Sequence, residues 1–378
     1  DAAAPPELYL PQYPATNTLA SQQLQERLTS SPVLNFSYPI EPPALMAPAI
    51  RDPSHAGSWY TDDSATLSQQ LDGWLSKVPS LTTPIGSASS KQGNVSIPVQ
   101  KARAIIAPHA GYSYSGPAAA WAYKSADWAN AKRVFLLGPS HHWGLPGAAT
   151  TGCSEYGTPL GNLTVDTELV GTIRKEWNLK TMSRQQDEDE HSLEMHLPYI
   201  YKMLSLHNSA FKSDASSVPL VPILVGATNS ATERDLGSKL AHYLADPTNL
   251  FVISSDFCHW GSRFRYTYYQ LPDGSAREIR SSSEVKKDYP IHESIKAVDF
   301  ESIDAVESGE HKQFLKQLQE TGNTVCGRHP IGVFMAAVEQ ASGLQGDGKF
   351  RFLRYERSSE VVSVRDSSVS YASAFAIL

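Results

Sequence analysis

Cysteine is scarce in this 378-residue chain: Cys153, Cys258 and Cys326 lie far apart and form no CxxC pair. So sparse and odd a set excludes a disulfide scaffold and points to a reducing compartment. Basic residues are also in short supply, 32 against 39 acidic. The resulting formal charge of −7 speaks against nucleic-acid binding, which needs a basic face. No apolar run approaches the length of a membrane span, so the expectation is a cytoplasmic protein, with the nucleus also open. Several enzyme signatures are missing: GxGxxG after a strand, GxxxxGK followed by Ser or Thr, HExxH, and GxSxG. Their absence removes nucleotide-binding, zincin and α/β-hydrolase readings at the level of local motif.

What is present is an ordinary globular balance, 41% apolar and 19% charged, enough to fill a sizeable core. Residues 1–50 stand apart, with nine prolines and one basic residue, Arg27. They read as an extended, Pro-rich appendage without a signal or transit pattern, which Tyr9, Tyr13 and Tyr38 can anchor to a surface or a partner subunit. A single domain follows, residues 51–378. Its first helix lies in "DDSATLSQQLDGWLSK", with Leu67, Leu71, Trp74 and Leu75 on one face. "TTPIGSASSKQGNVS" then reads as a flexible polar insertion. The apolar runs "ARAIIA", "RVFLLG", "VPLVPILVG" and "NLFVISS" are too short for helices and alternate with amphipathic stretches. That pattern predicts a mostly parallel sheet covered on both faces, with two further strands in "KFRFLRYERS" and "SSVSYASAFAIL".

The costly polar residues fall where those strands end. "ARAIIA" runs into His109, "RVFLLG" into His141 and His142, and "NLFVISS" into Asp256, Cys258 and His259. In open α/β sheets the ligand crevice lies beyond the carboxyl ends of the strands, so three neighbouring strands would bring these groups into one pocket. Two more segments can reach it: "QQDEDEHSLEMHLPY", with Asp187 to His191, Glu194 and His196, and "TVCGRHPIGV", with Cys326, Arg328 and His329. Each feature has a plainer explanation. A lone histidine is commonly structural, an acidic run before a helix commonly compensates its dipole, and a single cysteine commonly packs as a small hydrophobe. Convergence at one sheet end favours a metal, and imidazole with thiolate suits iron, copper or zinc. His259 is the candidate acid–base group because an unperturbed imidazole titrates near neutrality, and Asp256 stands beside it. "SHAGSWY", carrying His55 and Trp59, either lines the pocket mouth or caps the fold.

Together these segments resemble the Memo family, named for mediating cell motility driven by a receptor tyrosine kinase. The motifs are "SHAGSWY", "ARAIIAPHAGYSYSG", "GPSHH", "DEDEHSLEMHLPY", "SSDFCHWGSRFRY", "CGRHPIGV" and "DSSVSYA", in that order. The resemblance implies an α/β fold, a three-layer α/β/α sandwich like that of class III non-haem iron extradiol dioxygenases. Those enzymes hold Fe(II) with two histidines and a glutamate, whereas Memo proteins place two histidines and a cysteine. The implied metal ligands are therefore His109, His141 and Cys326, holding iron (Fe2+) or copper, with zinc also open. Asp256 and His259 line the same pocket. His142, Glu194, His196, Arg263, Arg265, Arg328, His55 and Trp59 are the implied supporting or peptide-contacting residues. A softer, oxidisable thiolate argues against ring cleavage and for a redox or signalling role in metal handling. The family also implies that the crevice accepts a phosphotyrosine-containing peptide, for which the arginines are candidate partners. No sequence feature sets an oligomeric state.

Overall fold

The structure is a computed structural model and describes residues 49–378; the expected Pro-rich appendage lies outside the described residues but for its last two positions. The short apolar runs become the middle of a nine-stranded sheet. Its strands are β1 (Ala102–Ala107), β2 (Arg133–Pro139), β3 (Ala148–Thr150), β4 (Lys180–Thr181), β5 (Leu220–Val225), β6 (Asn249–Ser254), β7 (His259–Trp260), β8 (Phe350–Arg357) and β9 (Ser368–Ile377). The order across the sheet is β7-β9-β1-β6-β2-β5-β3-β4, with β8 on the outer side of β9. The four central strands β1, β6, β2 and β5 run parallel, in the register Val252↔Ile105, Val252↔Leu136 and Leu136↔Pro222. Every residue of β1, β5 and β6 is buried, which is why these strands read as continuous apolar runs rather than alternating ones. On one side β9 pairs antiparallel with β1, β7 and β8; on the other β3 is antiparallel to β5 and the last strand, β4, is parallel to β3.

Helices flank this sheet, as expected of an α/β sandwich. They are α1 (Ser64–Lys77), α2 (Tyr112–Ser125), α3 (Thr167–Glu176), α4 (Leu197–His207), α5 (Ser230–Leu244), α6 (Ile291–Glu307), α7 (His311–Thr321) and α8 (Arg328–Gln340). The first is capped by Asp63, whose carboxylate accepts from the Thr66 N–H at 2.8 Å, and it buries Leu67, Leu71 and Leu75. Trp74, expected on the same face, is partly buried against the core. The polar stretch 82–96 departs from expectation. Instead of a free loop it is tied down: Ile85 donates to the Phe352 carbonyl (2.8 Å), the Ser87 N–H to Asp304 (2.8 Å) and the Ser89 hydroxyl to Glu307 (2.9 Å). Serines and a backbone amide here find buried or fixed acceptors, so polarity alone did not foretell mobility. Among the described residues no helix is long and apolar enough to cross a membrane.

Candidate metal centre

Strands β1, β6 and β2 are consecutive neighbours, so the three strand ends that carry His109, Asp256 and His141 open onto one place. A short helical turn, His191–Glu194, brings a further imidazole from the acidic segment. Ligand nitrogens of His109, His141 and His191 all lie within 4.8 Å of one another. The His141 and His191 rings stack with centroids 4.4 Å apart, and His109 stands edge-on to both at 5.2 and 5.4 Å.

Hydrogen bonds settle which nitrogen each ring presents. Ser254 gives its hydroxyl proton to the Ser192 carbonyl (2.7 Å), so it accepts from His109 Nδ1 (2.6 Å), leaving His109 Nε2 unprotonated and facing the Cys326 thiol. His141 donates Nδ1–H to Glu190 Oε1 at 2.8 Å, while the other carboxylate oxygen takes the His141 backbone N–H at 2.7 Å, and so Nε2 is free. His191 Nδ1 is buried without a hydrogen-bond partner, the nearest Glu190 oxygen being 3.7 Å away. Metal-binding imidazoles typically fix one nitrogen on a hydroxyl or carboxylate and offer the other, which is the pattern of His109 and His141. Cys326 lies directly before α8, with Sγ 3.2 Å from His109 Nε2 and 3.2 Å from the Asp256 N–H. It touches one member of the triad and is not part of the 4.8 Å cluster.

Burial shapes the protonation of these groups. It pushes His109 and His191 well below the ordinary imidazole value, with the neighbouring His141 adding to the effect. Burial also opposes charge on His141, but the Glu190 carboxylate prevails and holds it above its usual value. Glu190 itself is held low, since His141 outweighs the cost of its own burial. The Cys326 thiol is driven well up by burial and by Asp256. Asp256 is pushed up to about 7 by burial, against the N–H groups of His109 and Ala110 that bond its carboxylate. His259 lies at about 4, lowered by burial. It therefore departs from the near-neutral group its type suggests, and contacts of its Nδ1 with the Phe257 and Thr324 carbonyls (2.9 and 3.2 Å) fix the proton there.

The remaining sequence candidates separate into three groups. His55 and Trp59 lie at the mouth: the Trp59 ring packs tilted against His191 at 4.5 Å and meets His55 edge-on at 5.6 Å, so "SHAGSWY" lines the site. His142 is exposed, with its ring 5.9 Å from that of His191. Glu194 and His196 are buried supports. Glu194 accepts from His55, Tyr60 and Arg51, which leaves no free oxygen for an ion. His196 takes the Tyr123 hydroxyl at Nδ1 (2.7 Å) and leaves Nε2 unpartnered in the core. Arg263, Arg265 and Arg328 are exposed, and Arg263 rests 4.4 Å over the Phe264 ring that meets His259 at 5.2 Å. The sequence did not single out Ser254, and it offered Glu190 and His191 only as residues of a segment that can reach the crevice, not as ligand support or ligand. Asp187, Glu190 and Glu194 turn inward while Glu188 is half-buried and Asp189 exposed, and because Glu190 is an extended break between two short helices no single helical period marks the inward set.

The family model described as Memo-like protein matches residues 51–375. The chain is similar to Protein MEMO1 of Xenopus tropicalis, 46% identical over 325 residues, which span 85% of this chain and 95% of the relative. Protein MEMO1 of Homo sapiens is 42% identical over 322 residues, with the same coverage of 85% and 95%. The memo-1 homolog of Caenorhabditis elegans is 40% identical over 324 residues, covering 85% of this chain and 81% of that one. With the matched region embracing every segment that builds the site, the chain belongs to the Memo-like protein family.

Proposed function

We propose that this protein binds a single transition-metal ion, iron or copper with zinc as the third candidate, and serves a redox or signalling role in metal handling and cell motility. The observation that carries the reading is the triad of His109, His141 and His191, with the Cys326 thiol against His109. The donor set fits such an ion: two imidazoles are pre-oriented by Ser254 and Glu190, and a third holds a buried, unpartnered nitrogen. His109 and His141 would hold the metal, with His191 or Cys326 completing the set. When bound, a redox-active ion supplies electron-transfer chemistry that no side chain here provides.

The protein's own groups handle protons and access. Asp256, at about 7, exchanges a proton near neutrality, and His259, at about 4, stays neutral there with a lone pair on Nε2. Trp59 and His55 narrow the mouth. Three free cysteines support a reducing, cytoplasmic setting. Ring cleavage is not part of the proposal, since by resemblance a thiol stands where extradiol enzymes use a carboxylate. Metal analysis of protein purified under reducing conditions tests the reading. Stoichiometric metal is expected in the wild type and lost in His141→Ala; metal retained in full by that variant overturns the assignment. Comparing His191→Ala with Cys326→Ser then identifies the third ligand.

The arrangement of Arg263 over Phe264, beside His259, favours one second reading: a phosphotyrosine-peptide adaptor using the same crevice. Calorimetry with a phosphotyrosine peptide and its unphosphorylated twin separates the two. Equal binding of both, or of neither, removes the adaptor.

A further inference from the structure

Between α6 and the outer strand β8 lies a cavity of about 540 Å³, lined among others by Ile85, Lys296, Phe300, Tyr355 and Arg357. None of these residues belongs to the metal centre. We propose that this cavity is a binding site for a small organic carboxylate with an aromatic body.

The site is an open one, and two of its nine lining residues are aromatic, Phe300 and Tyr355, among mostly polar and charged side chains. Phe300 and Tyr355 meet edge to face, with centroids 5.4 Å apart at 71°. Tyr355 turns its hydroxyl inward, donating to Asp299 Oδ2 at 2.9 Å, with Ser370 Oγ at 3.1 Å. The Tyr355 ring rather than its hydroxyl is therefore left to the cavity, and it is fixed in place. Ile85 closes one side, and its N–H bonded to the Phe352 carbonyl explains what the pinned segment 82–96 builds.

Among the described residues neither Lys296 nor Arg357 is ion-paired, and Lys296 is exposed to solvent. Lys296 Nζ lies 5.7 Å from the Phe300 centroid, and the Arg357 guanidinium lies 6.0 Å from that of Tyr355. Among the described residues neither has a carboxylate partner within ion-pair distance; the side-chain hydrogen bond of Arg357 goes to the His292 carbonyl. Two acidic residues also border the cavity. Glu356 is engaged by Arg354 at 2.7 Å, and Glu360 is exposed. Arg354 in turn lies over the Trp121 ring at 5.3 Å. With Glu360 also unpaired, Lys296 and Arg357 leave one net positive charge for a ligand, beside the Phe300 and Tyr355 rings. A carboxylate between Lys296 and Arg357 would gain charge-assisted hydrogen bonds, while an attached ring buries apolar surface on Phe300, Tyr355 and Ile85. The volume falls within the roughly 300–1,000 Å³ usual for small-molecule sites.

The test is ligand-observed ¹⁹F NMR on the full chain, with 4-fluorophenylacetate as the probe and 2-(4-fluorophenyl)ethanol as its uncharged twin. Saturable binding of the acid is expected, with the alcohol at least about tenfold weaker. Lys296→Gln should weaken the acid by about tenfold and Lys296→Arg should restore it. Phe300→Ala should weaken both ligands, and His141→Ala should leave both unchanged. Equal binding of acid and alcohol, indifference to Lys296→Gln, sensitivity to His141→Ala, or no saturation by about 10 mM overturns the proposal.

Discussion

Replacing Glu194 by Gln removes the charge that fastens the mouth of the site to its floor, and the cost depends on pH in a calculable way. Oε1 accepts from the His55 N–H and the Tyr60 hydroxyl, both at 2.8 Å. Oε2 meets Arg51 Nη1 at 2.7 Å and His55 Nδ1 at 2.8 Å. Burial resists ionisation of this carboxyl, but His55 and Arg51 together hold it at about 2 against an ordinary 4.5. At roughly 1.4 kcal/mol per unit, that difference makes the charged form worth about 3 kcal/mol to the folded state. Because the folded value lies below the unfolded one, the contribution is complete above about pH 4.5 and fades as pH falls toward 2. By about pH 3 the unfolded chain has taken up nearly its whole proton and the folded chain almost none, so about 2 kcal/mol is gone. Urea denaturation of wild type and Glu194→Gln across this range reads the effect, and subtracting one from the other cancels the remaining titrations. The variant is expected to be less stable near pH 6, where Arg51 keeps only Asp187, at 3.1 Å, as its carboxylate partner. The gap should narrow by about 2 kcal/mol on descending to about pH 3. A gap that stays constant with pH would refute the reasoning, because it would mean that Glu194 acts by shape and hydrogen bonding without its charge.

Two further outcomes follow from the same geometry. Glu190→Gln, which removes the charged acceptor of His141 Nδ1, should weaken metal binding roughly 10- to 100-fold in chelator competition, and an unchanged affinity would dismiss Glu190 as the orienting group. Gly327→Ala places a Cβ 2.3 Å from the Ser254 carbonyl oxygen and 2.3 Å from Ser255 Cβ, next to Cys326. Backbone on one side cannot yield cheaply, so a loss of about 1–3 kcal/mol is expected on denaturation, together with faster reaction of the Cys326 thiol with a disulfide reagent. Wild-type stability and thiol reactivity in this variant would contradict the packing described.

The residues of the site differ in how visible they were before folding, and the difference has a physical basis. His109 and His141 were legible because each closely follows a strand buried along all or nearly all of its length, and burial on both faces writes itself into sequence as an uninterrupted apolar run. That the strands carrying His109, Asp256 and His141 are neighbours was a conditional inference, since strand order is decided by crossovers with no local signature. Cys326 emerged as a ligand candidate only through resemblance, and the structure sets it against His109 with His191 closer to the pair. His191 and Glu190 were obscured by their company. Four consecutive acidic residues read as a solvated helix start, and nothing local says which of them turn inward. What selects Asp187 and Glu190 is Arg51, 136 residues from the first of them, whose buried guanidinium bonds the Asp187 carboxylate and the Glu190 carbonyl. His259 shows the converse. Its type pointed to a near-neutral acid–base group, yet basicity follows from desolvation, and desolvation is fixed by segments that meet only in the fold. Composition and period thus locate the end of the sheet where chemistry collects, while the choice of which nitrogen, which carboxylate and which charge state rests on contacts between distant segments. That is why the decisive experiments act on Glu190, Glu194 and His191 as well as on the histidines that sequence singles out.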